Sequence, residues 1–230
     1  MSPLNVHKML PDASSLPYSD GKPVDDENQN LIPNFLLLRL LKLWADRTDW
    51  FFGVRMGIHQ TTGKDHKLPV VPNAFLSLGV ERKKGGESRR SYATWVEGDV
   101  VPTFVLEMVS HQPGAEYDEK LDIYAKLGVL YYVVYNPVFW QRDGHQPFEV
   151  YKLTAGKYQQ QVAEPYWMPE VGLGIGRYQG EVGGIRQEIL TWYDAEGKRH
   201  LSVAEKEREK RERLESFLRS QGFDPDNLPN

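Results

Sequence analysis

Residues 100–137 read VVPTFVLEMVSHQPGAEYDEKLDIYAKLGVLYYVVYNP, and the pattern changes twice along them. The near-continuous apolar run from Val100 to Ser110 suits a strand buried on both faces of a sheet. Glu107 interrupts that run. Strand side chains alternate, so Val105, Glu107 and Val109 point one way and Leu106 and Met108 the other. A carboxylate in such a place needs a partner, because a lone buried charge is expensive. Residues Tyr117–Leu127 follow the helical period, with Leu121, Tyr124 and Ala125 on one side and Gly128 placed to stop the helix. The run Leu130–Tyr135 is a second buried strand, ended by Asn136 and Pro137. Strand, helix, strand in this order predicts a crossover unit, right-handed if the strands are parallel.

Working outward, Leu68–Leu78 is a further strand region, broken or edge-like at Pro72, which has no N–H to donate. Asp49–Ile58 reads as a strand, and Asn34–Asp46 as an amphipathic helix with apolar residues at 36, 37, 40, 41 and 44. Residues 1–30 are rich in Pro, Ser, Asp and Asn, without periodicity, and read as an extended lead-in. After Phe148 the pattern is strand and turn. Phe148–Leu153 and Tyr158–Val162 form a hairpin about Ala155, Gly156 and Lys157. Leu173–Gly180 and Ile189–Tyr193 are strand-like. The glycines at 172, 174 and 176 lack the spacing of a nucleotide-binding loop. Ser202–Ser220 is a charged helix, with Ser202 and Glu205 forming a capping box. Its apolar residues Leu214, Phe217 and Leu218 gather at its end. It is too charged for a long coiled coil, and it is a candidate self-association element for a homo-oligomer such as a dimer. The expected divisions are 1–30, a nuclease-like domain at 31–197, and the charged helix and tail at 198–230.

Composition narrows the function. The chain of 230 residues carries a net charge of −4, which argues against a constitutive DNA coat but not against local DNA contact. No apolar run reaches the roughly 18–20 residues that cross a bilayer, and no secretory signal is visible at the start. The absence of cysteine excludes disulfides and thiolate metal sites and fits a cytoplasmic protein. The six histidines show no metal-binding spacing. Residues 81–90 hold five basic residues, Arg82, Lys83, Lys84, Arg89 and Arg90, against two acidic ones. They read as a solvated hairpin tip or as a phosphate-contacting loop.

Three positions carry chemistry. Glu107 on the central strand, Asn73 on the preceding strand region and Lys120 on the following helix can converge. Metal-assisted phosphodiester hydrolysis uses oxygen ligands on neighbouring strands to hold Mg²⁺, and a cation near the developing charge. Glu107 supplies the first and Lys120 the second, and Lys120 and Tyr124 lie one helical turn apart. Taken alone, each has a plainer role: Asn73 a turn residue, Glu107 a satisfied buried acid, Lys120 a solvated lysine.

The stretches VVPNAFLSLGV (70–80) and VPTFVLEMVS through VVYNP (101–137) resemble the Uma-two family of restriction endonucleases, of the PD-(D/E)XK nuclease-like fold and common in cyanobacteria. The resemblance extends to LPDASSLPYSDGKPVDDENQN (10–30), to GLGIGRYQG (172–180) and to the charged terminal helix. It implies an α/β, restriction-endonuclease-like core, a mixed sheet flanked by helices, with extra β-hairpins. It also implies a Mg²⁺- or Mn²⁺-dependent DNA endonuclease. Glu107 matches the family's central-strand acid, and Lys120 and Tyr124 match its helix. The lysine expected two residues after the acid is absent, its place taken by Val109, and Lys120 is the replacement. Asn73 departs, standing where the family has its first aspartate, so the metal set would be Glu107 and Asn73. Residues 110–113 also depart from the family's Ser-Pro-Ser-Thr. Glu27, Asp65 and Glu81 are acids that could approach the site instead. The alternative is a catalytically inactive nuclease-fold protein that binds nucleic acid or assembles. A third reading, a structural protein joined through its terminal helix, leaves Glu107 and Lys120 unexplained.

Overall fold

The computed structural model describes residues 11, 16–17, 21, 26–60, 69–112, 115–182 and 184–224. Its backbone is a mixed sheet covered on both faces. In chain order the first elements are α1 (Asn28–Leu43), β1 (Trp50–Val54), β2 (Ile58–His59), β3 (Ala74–Leu78), β4 (Tyr92–Ala93) and β5 (Phe104–Met108). Then come α2 (Glu119–Leu127), β6 (Tyr131–Tyr135), α3 (Trp140–Asp143), β7 (Phe148–Thr154) and β8 (Lys157–Gln161). The last are β9 (Tyr166–Met168), β10 (Leu173–Val182), β11 (Ile185–Tyr193) and α4 (Val203–Ser220).

The main sheet runs β1-β3-β5-β6-β7-β8. β5 and β6 are parallel, joined through α2, and the other neighbours in this sheet are antiparallel. The apolar run of residues 131–135 shows why the sheet is buried on both sides. Tyr131, Val133 and Tyr135 join one core cluster, and Tyr132 and Val134 the other. The first cluster packs the sheet against Ile32, Leu36 and Leu40 of α1 and against the β11-β10-β9 sheet, where the Trp192 indole donates to the Leu36 carbonyl at 3.0 Å. The second holds Phe75, Val105 and Val134 beneath Tyr124 and Leu127 of α2. Each such side chain removed from water contributes about 1.5–3 kcal/mol, so the two-sided packing fixes the register of β5 and β6.

Local signals act where the sequence places them. Gly128 takes a left-handed φ of 90° and ends α2, its N–H returning to the Tyr124 carbonyl. Ala155 and Gly156 are both left-handed and turn β7 into β8. Ser202 and Glu205 make the capping box of α4. Pro72 precedes β3, and before it Val70 makes only an isolated bridge to Ile58.

The first helix differs from the sequence expectation. It begins at Asn28 rather than Asn34 and runs through Pro33. The Asp26 carboxylate accepts the Gln29 N–H at 3.0 Å, and Ile32 and Pro33 are buried. Burial of that first apolar face outweighs the hydrogen bond that proline cannot make. The helix ends at Leu43, short of Asp46. No described helix is long and apolar enough to cross a membrane.

Candidate active site

The site lies on the α2 face of the sheet. Glu107 is on β5 and is 1% exposed. It belongs to the same face as Val105 because strand residues two apart point the same way. Lys120 and Tyr124, one turn apart on α2, both reach it. The Lys120 ammonium donates to Glu107 Oε2 at 2.9 Å, and the Tyr124 hydroxyl to Glu107 Oε1 at 2.7 Å. Each oxygen of the buried acid thus has a donor, as burial requires.

A second carboxylate completes the group. Glu116, in the turn before α2, is buried, and its Oε1 accepts from the same Lys120 ammonium at 3.2 Å. Its backbone carbonyl accepts the Tyr132 hydroxyl at 2.7 Å, which pins this turn to β6. Lys120 therefore marks a point on which two carboxylates converge. The sequence reading missed Glu116. The available signal was its place four residues before Lys120, the spacing at which a helix brings an acid and a base together.

Electrostatics follow from burial. Desolvation pushes the Glu107 carboxyl above its ordinary range, while Lys120 and the Tyr124 hydrogen bond pull the other way. Burial disfavours the Lys120 charge, but Glu107 and Glu116 hold its pKa above the ordinary lysine value, so it stays an ammonium. Burial and the neighbouring Glu107 carboxylate push the Tyr124 phenol well above its usual pKa, keeping it a neutral donor.

Asn73 is brought to the same place, with a different occupation. It precedes Ala74, which pairs with Leu106, and one further step of that antiparallel register sets it level with Glu107. Its side-chain oxygen accepts the Met108 backbone N–H at 2.8 Å, and its backbone carbonyl accepts the Arg55 N–H at 3.1 Å. The asparagine extends the β3–β5 ladder with its side chain. That oxygen carries the Met108 hydrogen bond, and the other end of the amide is an NH₂ group, a donor where a carboxylate would offer a second ligand oxygen.

The other acids considered from sequence lie elsewhere. Glu27 precedes α1, which packs on the opposite face. Glu81 accepts the Gly85 N–H within its own loop at 3.1 Å. Asp65 is outside the described residues. Among the described residues no group of three or more His, Asp or Glu is disposed to hold a metal ion.

The basic run divides. Arg89 is turned inward, its side chain 3% exposed, and two of its nitrogens meet the Glu97 carboxylate at 2.8 and 2.9 Å. It also donates to the carbonyls of Glu81 and Arg82. The Arg82 guanidinium lies 3.7 Å from the Trp50 ring centre. Lys83, Lys84 and Arg90 are exposed, and Lys84 lies 3.9 Å from Glu97. Arg82 and Arg89 are thus engaged in holding the loop in place.

A mixed sheet with one parallel pair, a buried acid on the central strand, and a lysine and a tyrosine meeting it from the crossover helix defines a restriction-endonuclease-like α/β protein. The chain matches the model of the Uma2 family, described as "Putative restriction endonuclease", over residues 6–179, and it belongs to that family. No curated protein matches it. Among solved structures it is similar to a crystal structure described as a putative nuclease belonging to DUF820 from Anabaena variabilis ATCC 29413. Sequence identity is 13%, the TM-score is 0.45, and the likeness covers 66% of this chain and 79% of that one. At that TM-score the fold assignment rests on the strand order and the family match.

Proposed function

We propose that the chain is a DNA endonuclease that hydrolyses phosphodiester bonds with a divalent metal, Mg²⁺ or Mn²⁺, acting in the cytoplasm. The carrying observation is the convergence of Glu107 and Glu116 on one cation, the Lys120 ammonium. Two carboxylates that share a monovalent cation are a donor set suited to a hard divalent one. Mg²⁺ is usually held by one or two carboxylates, with water and substrate phosphate completing its shell. Glu107 and Glu116 would hold the ion, which when bound would polarise the scissile phosphate. The Lys120 ammonium supplies fixed positive charge for the charge that develops there. Tyr124 fixes the carboxylate of Glu107, and Asn73 fixes the strand that carries it. Lys83, Lys84 and Arg90 are the exposed cations proposed to meet the DNA backbone. The proposed catalytic unit is residues 31–197, with 198–230 an appended helix and tail.

The test is relaxation of supercoiled plasmid in Mg²⁺ and in Mn²⁺. The wild type should nick, and Glu107→Gln and Glu116→Gln should each lower the rate by about 100-fold or more. No cleavage by the wild type of plasmid, linear duplex or single-stranded DNA in either metal would overturn the proposal.

One observation favours a second reading. The amide of Asn73, standing where the family resemblance implies an aspartate, leaves the site one carboxylate short, and such a protein would bind nucleic acid or assemble without cutting. A silent wild type that gains cleavage on Asn73→Asp would establish that reading.

A further inference from the structure

A histidine beside the site is arranged as a proton acceptor. Glu107 pairs in register with Val134, and Val134 with Glu149, so the two acids stand in one row across β5, β6 and β7. Cross-strand partners face the same way, and two strand spacings put their backbones about 10 Å apart. Glu149 is 4% exposed. Its Oε1 accepts the Gln146 N–H at 2.9 Å and faces His145 Nδ1 at 3.3 Å, and its Oε2 accepts the Tyr151 hydroxyl at 2.5 Å. A carboxylate held by a backbone N–H and a phenol is a fixed acceptor. It therefore selects the His145 tautomer with hydrogen on Nδ1, which leaves a lone pair on Nε2.

The imidazole is also fixed in plane. It stacks on the Tyr117 ring with centres 3.5 Å apart and planes 5° from parallel. Tyr117 directly follows Glu116, and its hydroxyl accepts from the Asn136 amide at 3.2 Å. The ring thus lies over the turn that supplies the second carboxylate of the site. The His145 side chain is one-third exposed, so the ring is within reach of an entering molecule. It follows Gly144, which ends α3 in a left-handed conformation and turns the chain toward β7.

The reaction needs such a group. Attack of water on phosphorus releases a proton, and the residues already placed cannot take it. Lys120 is an ammonium, Tyr124 a neutral donor, and Glu107 is assigned to the metal. Glu116 shares Lys120 and is assigned to the metal.

We infer that His145, oriented by Glu149 and stacked on Tyr117, is the general base of this site for phosphodiester hydrolysis. The water oxygen bonds to phosphorus, the bond from phosphorus to the leaving sugar oxygen breaks, the water proton passes to Nε2, and the leaving oxygen takes a proton from solvent. This inference rests on the nuclease reading above. It is the arrangement by which a carboxylate orients a histidine base in hydrolytic sites.

The experiment is plasmid nicking in Mn²⁺ by the wild type, His145→Ala, His145→Gln and Glu149→Gln, with Mn²⁺ affinity measured by calorimetry on each. Both His145 variants should slow nicking by about 100-fold or more, with Mn²⁺ affinity unchanged. Added imidazole should restore at least a tenth of the wild-type rate to His145→Ala. Glu149→Gln should show an intermediate loss. His145→Gln, a polar change at a part-exposed position, guards against loss of fold. Nicking by His145→Ala within threefold of wild type overturns the inference alone. So does a slow His145→Ala that imidazole fails to rescue, or whose Mn²⁺ affinity falls with its rate. A wild type that cuts nothing overturns the nuclease reading, and this inference with it.

Discussion

The side-chain oxygen of Asn73 accepts the backbone N–H of Met108 at 2.8 Å, tying the start of β3 to the end of β5 beside Glu107. An aspartate could make the same hydrogen bond with one oxygen and keep the other for a metal. Asn73→Asp should therefore bind Mn²⁺ at least about tenfold more tightly, a gain of about 1.4 kcal/mol, and should be less stable than wild type without metal because it faces Glu107. Asn73→Ala leaves the buried Met108 N–H without an acceptor and should lose about 1–3 kcal/mol. Calorimetric titration and urea unfolding of the two variants check both statements.

Tyr124 offers Glu107 its second donor at 2.7 Å within a fully buried contact. In Tyr124→Phe one carboxylate oxygen goes unsatisfied, so stability should fall by about 1–3 kcal/mol. The carboxyl pKa should rise further, since the tyrosine hydrogen bond pulls it down. Denaturant unfolding reads the first effect. Carboxyl-carbon NMR titration of Glu107 reads the second.

The basic loop should respond unevenly to substitution. Removing Arg89 takes the two close donors from Glu97, itself 3% exposed on its side chain, and leaves it the Lys84 ammonium at 3.9 Å. Arg89→Ala should cost about 3–5 kcal/mol, whereas Lys83→Ala, at an exposed position, should lie within about 0.5 kcal/mol of wild type. Thermal and urea unfolding distinguish them. If the nuclease reading holds, Lys83→Ala should weaken DNA binding and reduce its salt dependence.

Acid should loosen the attachment of α4. Burial alone would raise the Glu205 pKa, but hydrogen bonds from Arg199, Ser202 and Arg39 outweigh it and bring it down to about 2 from an ordinary 4.5. A depressed folded pKa gives stability that is full above the unfolded value and is lost as pH falls through the folded one. The stability gap between wild type and Glu205→Gln should be full at pH 6. It should shrink below about 4.5 and close near 2. Unfolding curves across that range check it.

Much of the site was legible because it is carried by local patterns. Glu107 breaks an apolar run, Lys120 and Tyr124 fall one turn apart, and Gly128 marks where α2 must end. The same holds for the turn at Ala155 and Gly156 and for the Ser202 capping box. What escaped depends on partners distant in sequence. Glu116 is one of several acids in a polar stretch, and only the fold buries it against Tyr132 and Lys120. The hydrogen bond from Met108 to Asn73 spans 35 positions and is invisible to any local rule. Arg89 looks like part of a solvated charge run until Glu97 is folded over it. The first turns of α1 were hidden because Pro33 argues for a break, and only packing against the sheet overrides it.

The central claim is that Glu107 and Glu116 hold the metal while Asn73 holds the strand. A crystal grown with Mn²⁺ and examined by anomalous diffraction tests it most directly. The account predicts a peak coordinated by carboxylate oxygens of Glu107 and Glu116, with the Asn73 oxygen still accepting the Met108 N–H. A peak ligated by the Asn73 oxygen, or no peak at millimolar Mn²⁺, would contradict it.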